Sequence, residues 1–373
     1  MKQEQVAWKY KVPFLLLTTV AIISLIPVSY ETLIPSGADI PEINHADTSW
    51  LLMASALVLL MTPGLAFFYG GMVRYKNLVS TLLQSFIALG IISVLWIVVG
   101  FSVAFGDSLG GFIGNPTTFL FFKNVGLSPH PDFGPTIPFA LFAMFQLKFA
   151  IITPALITGG LAERVRFTSL MLFLILFSLF IYAPLAHWTW HPEGFLRKWG
   201  ILDFAGGTVV HISAGFAALS GAIFMGKRKG LDEEARPTNI PYILLGTSLL
   251  WFGWFGFNAG SSLAADGLAV RAFVNTNISS ATAMLTWLFA DGAMGKKRSA
   301  AGAAIGAVVG LVAITPAAGF VTVGQSVFFG FIASIVSYTA VQLKSKTKID
   351  DTLDVFPCHG LGGIVGMILT GVF

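Results

Sequence analysis

His211 follows Asp203 by eight residues in DFAGGTVVHISAGFAAL, a stretch that otherwise reads as a lipid-buried helix. An ionisable group at bilayer depth costs roughly 2.5 kcal/mol or more, so it usually faces a cavity or a path through the protein. A second histidine, His359, follows Asp354 in DVFPCHGLGGIVG near the C-terminal end. A buried imidazole stays neutral and offers one donor and one acceptor nitrogen. Two such rings side by side would share a proton, and could relay it or pass a donor-rich molecule. The blander reading is that each histidine is satisfied by one hydrogen bond and joins two helices. Matching placement of the two weighs toward the relay. Haem ligation needs histidines on facing helices around a large apolar slot, whereas His45, His130, His187 and His191 fall at or outside the outer membrane edge. Neither an HExxH zinc motif nor a GxSxG nucleophile elbow occurs. Cys358 is the sole cysteine, which excludes a disulfide framework and a cysteine metal cluster. The expectation is no metal, no cofactor and no enzyme activity.

Aromatic residues make the second chemical signal, at 13% of the chain. Most belong to interfacial belts and lipid-facing bulk. Phe145 and Phe149 differ, because at i and i+4 with Gln146 between them they share one helix face. Trp190 lies at the outer mouth ahead of the Asp203 helix. Phe257 and Ser261 fall in WFGWFGFNAGS, whose glycines let that helix approach its neighbours. An aromatic face attracts a cation by about 2 kcal/mol or more once water is removed. Aromatics followed by histidines would therefore form a cation-recruiting, water-excluding passage.

The elements that must hold these groups are membrane helices. The 373-residue chain is 55% hydrophobic and 11% charged, against about 25% charged in ordinary soluble domains. Apolar stretches of spanning length, roughly 17 to 25 residues, fall near 13–29, 50–72, 78–105, 136–160, 167–186, 204–225, 240–262, 269–290, 300–315, 318–342 and 355–373. The first follows Lys2, Lys9 and Lys11 and precedes Ser36-Gly37-Ala38, so residues 1–40 read as a signal peptide or an additional N-terminal span. From Leu51 onward, alternate loops hold Arg74, Lys76, Arg164, Arg166, Lys227, Arg228, Lys229, Arg236, Lys296, Lys297, Arg298, Lys344, Lys346 and Lys348. The remaining loops hold only Lys123, Arg197, Lys198 and Arg271. Positive charge stays inside, which puts the mature N-terminus outside and, after ten spans, Phe373 outside as well. The polar loop GKRKGLDEEARPTN (226–239) divides the spans into five plus five, and an odd number per half inverts the second relative to the first. Inverted repeats place substrate sites near mid-membrane at their interface. The fifth spans begin at Asp203 and Asp354 and carry His211 and His359. The fold class is thus an all-α polytopic membrane protein with a five-plus-five inverted repeat.

Several runs resemble the ammonium transporter family, the Amt/Mep/Rh proteins. DFAGGTVVHISAGFAAL followed by Gly226-Lys227-Arg228 is similar to the family signature, and GLAFFYGGMVRYKN, FQLKFAIIT, GLAERVRF, GWFGFNAGS, AFVNT and DVFPCHGLGGIVG agree with it. The resemblance covers about residue 50 to the end, and DFAGG matches the Amt branch better than the Rh branch. It implies the ammonium-transporter fold over 45–373 with a pore through each subunit of a homotrimer in the inner membrane. It further implies twin pore histidines at His211 and His359, a phenylalanine gate at Phe149 and Phe257, and an ammonium-recruiting site at Phe145, Trp190 and Ser261 supported by Asp203. Ammonium presents four donors, so Ser261 can accept one while aromatic faces replace hydration. A neutral histidine pair in an apolar tube suits ammonia and disfavours ions that stay charged.

Two features depart from the family. Lys148 stands beside Phe149 where relatives carry a small or apolar residue, about 100° round the helix. It either pairs with a carboxylate on a neighbouring helix or reaches the pore, where its charge would repel ammonium and turn a conductor into a binder. The chain also ends before the family's eleventh span and cytoplasmic tail, as an incomplete sequence would. In the family that tail meets PII-type signalling proteins or leads into a kinase. Two readings follow: an ammonium transporter, and an ammonium-sensing receptor module with little or no transport.

Overall fold

The computed structural model describes residues 2–37, 39, 41–228 and 237–373, so Ala38, Lys229 and Arg236 lie outside the described residues. Among the described residues helices dominate. They run as α1 (Lys2–Ile23), α2 (His45–Met72), α3 (Tyr75–Phe105) and α4 (Phe139–Leu161). A continuous rod, α5, then joins Phe167–Phe177, Ser178–Tyr182 and Ala183–Trp190. After it come α6 (Gly207–Met225), α7 (Ile240–Ser262), α8 (Gly267–Ala293), α9 (Ala300–Ile314), α10 (Val323–Lys344) and α11 (Phe356–Val372). Helices α2 to α11 stand at the ten places the apolar runs indicated. Seven of the helices are long and apolar enough to cross a bilayer by length and composition alone. The 15-residue α9 is shorter and is followed by a buried turn through Pro316.

Local chemistry sets the starts. Asn44 accepts from the amides of Ala46 and Asp47, Asn239 from Tyr242, Asp266 from Ala269 and Ser299 from Gly302. Thr322 and Gln325 form a reciprocal capping box on α10. Each cap satisfies amide groups that a helix start leaves unpaired, worth about 1 kcal/mol. Two short hairpins on the outer side, Ser108–Leu109 with Ile113–Gly114 and Pro129–His130 with Gly134–Pro138, fold over the helix ends. The segment after α1 pairs with the link between them through Asn124 to Ser29 and Leu33 to Asn124 backbone bonds.

Small residues bring the helices together, as expected where packing rather than water expulsion drives association. A Cβ on Gly246 of α7 would collide with the backbone of Phe68 on α2, so these first helices of the two halves touch along their main chains. The fifth helices behave alike. Gly215, four residues after His211, packs on Gly360, and Gly363, four residues after His359, packs on Ile212 and the His211 Cβ. This reciprocity is the signature of a pseudo-two-fold axis between α6 and α11. Both helices also open with a wide, π-type turn, Gly207–Ile212 and Phe356–Leu361, that contains the histidine. The counterpart of Asp203 differs from the one expected. Asp351, not Asp354, stands eight residues before its histidine and caps α11 through the Phe356 amide at 2.7 Å, whereas Asp354 pairs with Lys344 at 2.5 Å.

Candidate functional site

Charge and aromatic residues converge on an outer vestibule of about 250 Å³. Its lining includes Phe145, Phe149, Trp190, Asp203 and Ser261, together with Gln146, Asp132 and Arg197. Asp203 is 7% exposed, and its carboxylate accepts the amides of Gly206, Gly207 and Thr208 at 2.7, 2.7 and 2.8 Å. Those bonds need the left-handed turn at Gly206 (φ 118°), where a side chain would also strike Val210. Asp203 thus holds the start of the His211 helix. The Trp190 indole donates to the Asp203 carbonyl at 3.0 Å, which fixes the ring at the vestibule wall. Ser261 donates its hydroxyl to the Phe257 carbonyl at 2.8 Å, leaving oxygen lone pairs to accept from a guest.

The vestibule floor is closed by two rings. Phe149 and Phe257 lie with centroids 4.2 Å apart and planes 31° from parallel, and both are buried. Phe145 and Trp190 meet Phe149 edge-on at 5.0 and 5.9 Å. The i, i+4 spacing of Phe145 and Phe149 on α4 therefore does place both on the vestibule side. Beneath the rings a void of about 10 Å³ is walled by Phe257, Trp254, His211, His359, Ile152 and Val308 among others. His211 Nδ1 and His359 Nδ1 are 3.3 Å apart, and the rings are nearly parallel at 28°. One Nδ1 must carry a proton and the other accept it. The Nε2 atom of His211 is buried without a partner. Trp254 stacks on His211 at 5.3 Å, and its indole is held by Thr315 at 2.9 Å. A second void of about 10 Å³ follows, lined by His359, Cys358, Tyr69 and Phe68 among others.

We call inner the end that carries the Arg74, Arg164 and Arg228 loops. There the ends of α2, α4 and α6 are tied to the approach to α11. Glu163 accepts from Arg74 at 2.8 and 3.0 Å and from Arg228 at 2.9 Å, and Asp350 accepts from Arg228 at 2.9 Å and Arg164 at 3.1 Å. Burial works against ionised Glu163, yet bonds from Arg74 and Asn77 and the Arg228 charge bring its pKa down to about 2. Glu163 holds a left-handed backbone (φ 69°), strain that its bonds from Arg74 and Arg228 keep in place.

All eight residues singled out around the path line the vestibule or the void below it. Lys148 lines neither; it is half-buried on the face shared with half-buried Leu141 and Met144, with no hydrogen bond or ion pair to a described residue. Neither the carboxylate partner nor the pore placement expected for it is found. Sequence reasoning missed Trp254, although its i, i+3 spacing to Phe257 was visible in WFGWFGF. Asp132 and Arg197 come from outer loops remote in sequence, where no spacing could have indicated them.

Packed membrane helices enclosing an outer cavity, a closed aromatic constriction and a histidine-lined interior within one subunit define a multi-pass membrane protein with the architecture of a solute pathway. The Ammonium Transporter Family description matches residues 49–373. The ammonium transporter of Aquifex aeolicus (strain VF5) is 49% identical over 335 residues, 89% of this chain and 78% of that one. That of Bacillus subtilis (strain 168) is 47% identical, covering 88% and 80%. The crystal structure of Candida albicans Mep2 superposes with a TM-score of 0.83 at 39% identity, covering 89% of this chain and 73% of that one. A structure titled Sensor Amt Protein gives 0.81 at 33% identity, covering 88% and 82%. The chain belongs to the Ammonium Transporter Family.

Proposed function

We propose that the protein transports ammonium across the cytoplasmic membrane, with residues 45–373 forming the transporting unit and 1–40 a signal peptide or extra span outside it. The observation that carries the reading is the order along one path: acceptor and aromatic groups, then the Phe149–Phe257 pair, then two histidines 3.3 Å apart. Phe145, Trp190 and Ser261 recruit ammonium, replacing water by aromatic faces and one acceptor. Asp203 contributes as the group that holds the turn. A charged ion stripped of water gains too little in the small void beyond the rings to stay charged. Ammonium therefore leaves its proton at the vestibule floor and ammonia passes, while the proton crosses separately through the paired imidazoles. Potassium has no proton to leave and is excluded. The relatives are named transporters, in keeping with a transport protein rather than an enzyme.

Lys148 does not favour the receptor reading, since its side chain lines neither cavity. The family resemblance also underlies a homotrimer, a mature N-terminus on the outer side and a PII-type or kinase partner at the inner face. The test is the current evoked by an ammonium jump across proteoliposomes, with potassium as control and the subunit number read by native mass spectrometry. A saturable current specific to ammonium from a trimer is expected. A silent protein that still binds ammonium saturably would reverse the assignment in favour of the receptor.

A further inference from the structure

The pseudo-two-fold axis gives the inner end of the path its own acid. Asp351 stands eight residues before His359 as Asp203 does before His211, and is 1% exposed. The two acids are used differently. Asp203 spends both carboxylate oxygens on three amides, whereas Asp351 accepts the Phe356 amide with Oδ2 only. Its Oδ1 is buried without a hydrogen-bond partner, against Gly160 of α4. A buried carboxylate oxygen with no donor is costly, and a proton on it removes the charge. Leu353, two residues after Asp351, and Cys358, two residues after the amide that Asp351 caps, line the second void beside His359. That void is at the lower limit of room for one water. An acid with a free oxygen thus caps the wide turn that carries His359.

We propose that Asp351 is the proton-release group of the pathway, taking on Oδ1 the proton that leaves the His211–His359 pair inward and giving it up to water at the inner mouth. The inference rests on the reading that proton and ammonia cross separately. The step is balanced: one proton enters the histidine pair from ammonium, one passes from the pair to the carboxylate, and one leaves for inner water. Asp351 returns to its anion and net charge of one moves per ammonium. The surroundings fit a group that changes protonation in use. Burial pushes Asp351 up to about 6; Lys344 and the Phe356 amide pull the other way, and Asp354 adds to the push. The groups facing it are Tyr69 from α2, Arg164 at the end of α4, Lys344 from α10, Cys358 from α11 and Asp354 in its own loop. Lys344 is engaged by Asp354 and by the Asp351 carbonyl, at 2.5 Å each, and among the described residues no ion pair forms to the Asp351 carboxyl.

The experiment is the ammonium current of Asp351→Asn in proteoliposomes as a function of pH on the inner side. Asparagine keeps an oxygen for the Phe356 amide, so the start of α11 is retained, and cannot take up the proton. Wild type should show a current that varies with inner pH around 6. Asp351→Asn should lose at least five-fold in current and lose that pH dependence, with the ammonium concentration for half-saturation unchanged. Asp354→Asn keeps the titrating group, so a dependence on inner pH should remain, moved to lower pH because the push from Asp354 is lost and Lys344 is freed. A current and inner-pH profile of Asp351→Asn equal to wild type would overturn the proposal while leaving transport intact. A wild type without ammonium current would overturn the functional reading itself. Should Asp351→Asn fail to fold, pH-difference infrared spectra of wild type decide: no carboxylic acid titrating near 6 would equally overturn it.

Discussion

At the residue scale, the proposed mechanism gives recruitment and conduction to different side chains. Ser261 is the one hydroxyl of the recruiting set, and its own proton is committed to the Phe257 carbonyl, so its oxygen faces the cavity as an acceptor. Removing it should cost about one net hydrogen bond, roughly 1 kcal/mol, or about five-fold in affinity. Ser261→Ala is therefore expected to raise the half-saturating ammonium concentration about five-fold in current measurements while leaving maximal current near wild type. A fall in maximal current at unchanged half-saturation would place Ser261 beyond the recruiting step. The residues that line the two cavities stand out in the sequence by type. A buried histidine after an aspartate and two phenylalanines at i, i+4 carry their periodicity in the sequence, whereas Asp132 and Arg197 reach the vestibule only through the folding of outer loops. Asp351 was hidden for another reason. Asp354 is nearer to His359 and drew the comparison with Asp203, but the wide turn that opens α11 makes eight residues the structural interval.

At the scale of elements, the contact of α6 with α11 sets the distance between the histidines. Gly215 has no room for a side chain against Gly360. Gly215→Ala must separate the helices, and overpacking of this kind costs about 1 to 3 kcal/mol. The expected outcome is a lower melting temperature of the purified protein together with loss of ammonium current. Gly90→Ala is the comparison, because nothing lies within 4 Å of a Cβ there and the helix keeps an ordinary backbone. Equal melting temperatures for the two variants would contradict the packing account. Helix positions were readable from apolar runs, since hydropathy is a local signal; the Asn44, Asn239, Asp266 and Ser299 caps, equally local, were not used to place the starts. The π-type turns and the reciprocal glycine contacts were not readable, because they arise from two helices meeting across the whole sequence.

At the scale of the molecule, the inverted repeat places an acid-led, histidine-bearing helix from each half against the other, and the chain between them is a pathway with one constriction. The odd number of spans per half and the asymmetry of Lys and Arg between loops made that architecture readable, and the superposition on Candida albicans Mep2 agrees with it. The closure of the vestibule floor by Phe149 and Phe257 depends on ring orientation and could not be read from spacing. The central claim is that the paired neutral imidazoles carry the proton and exclude other cations. Its most direct test compares His211→Ala with wild type in ammonium and potassium jumps across proteoliposomes, with melting temperature as a check on folding. The account predicts a folded variant in which the ammonium-specific current is lost or potassium also passes. A folded His211→Ala with the current and selectivity of wild type would contradict it.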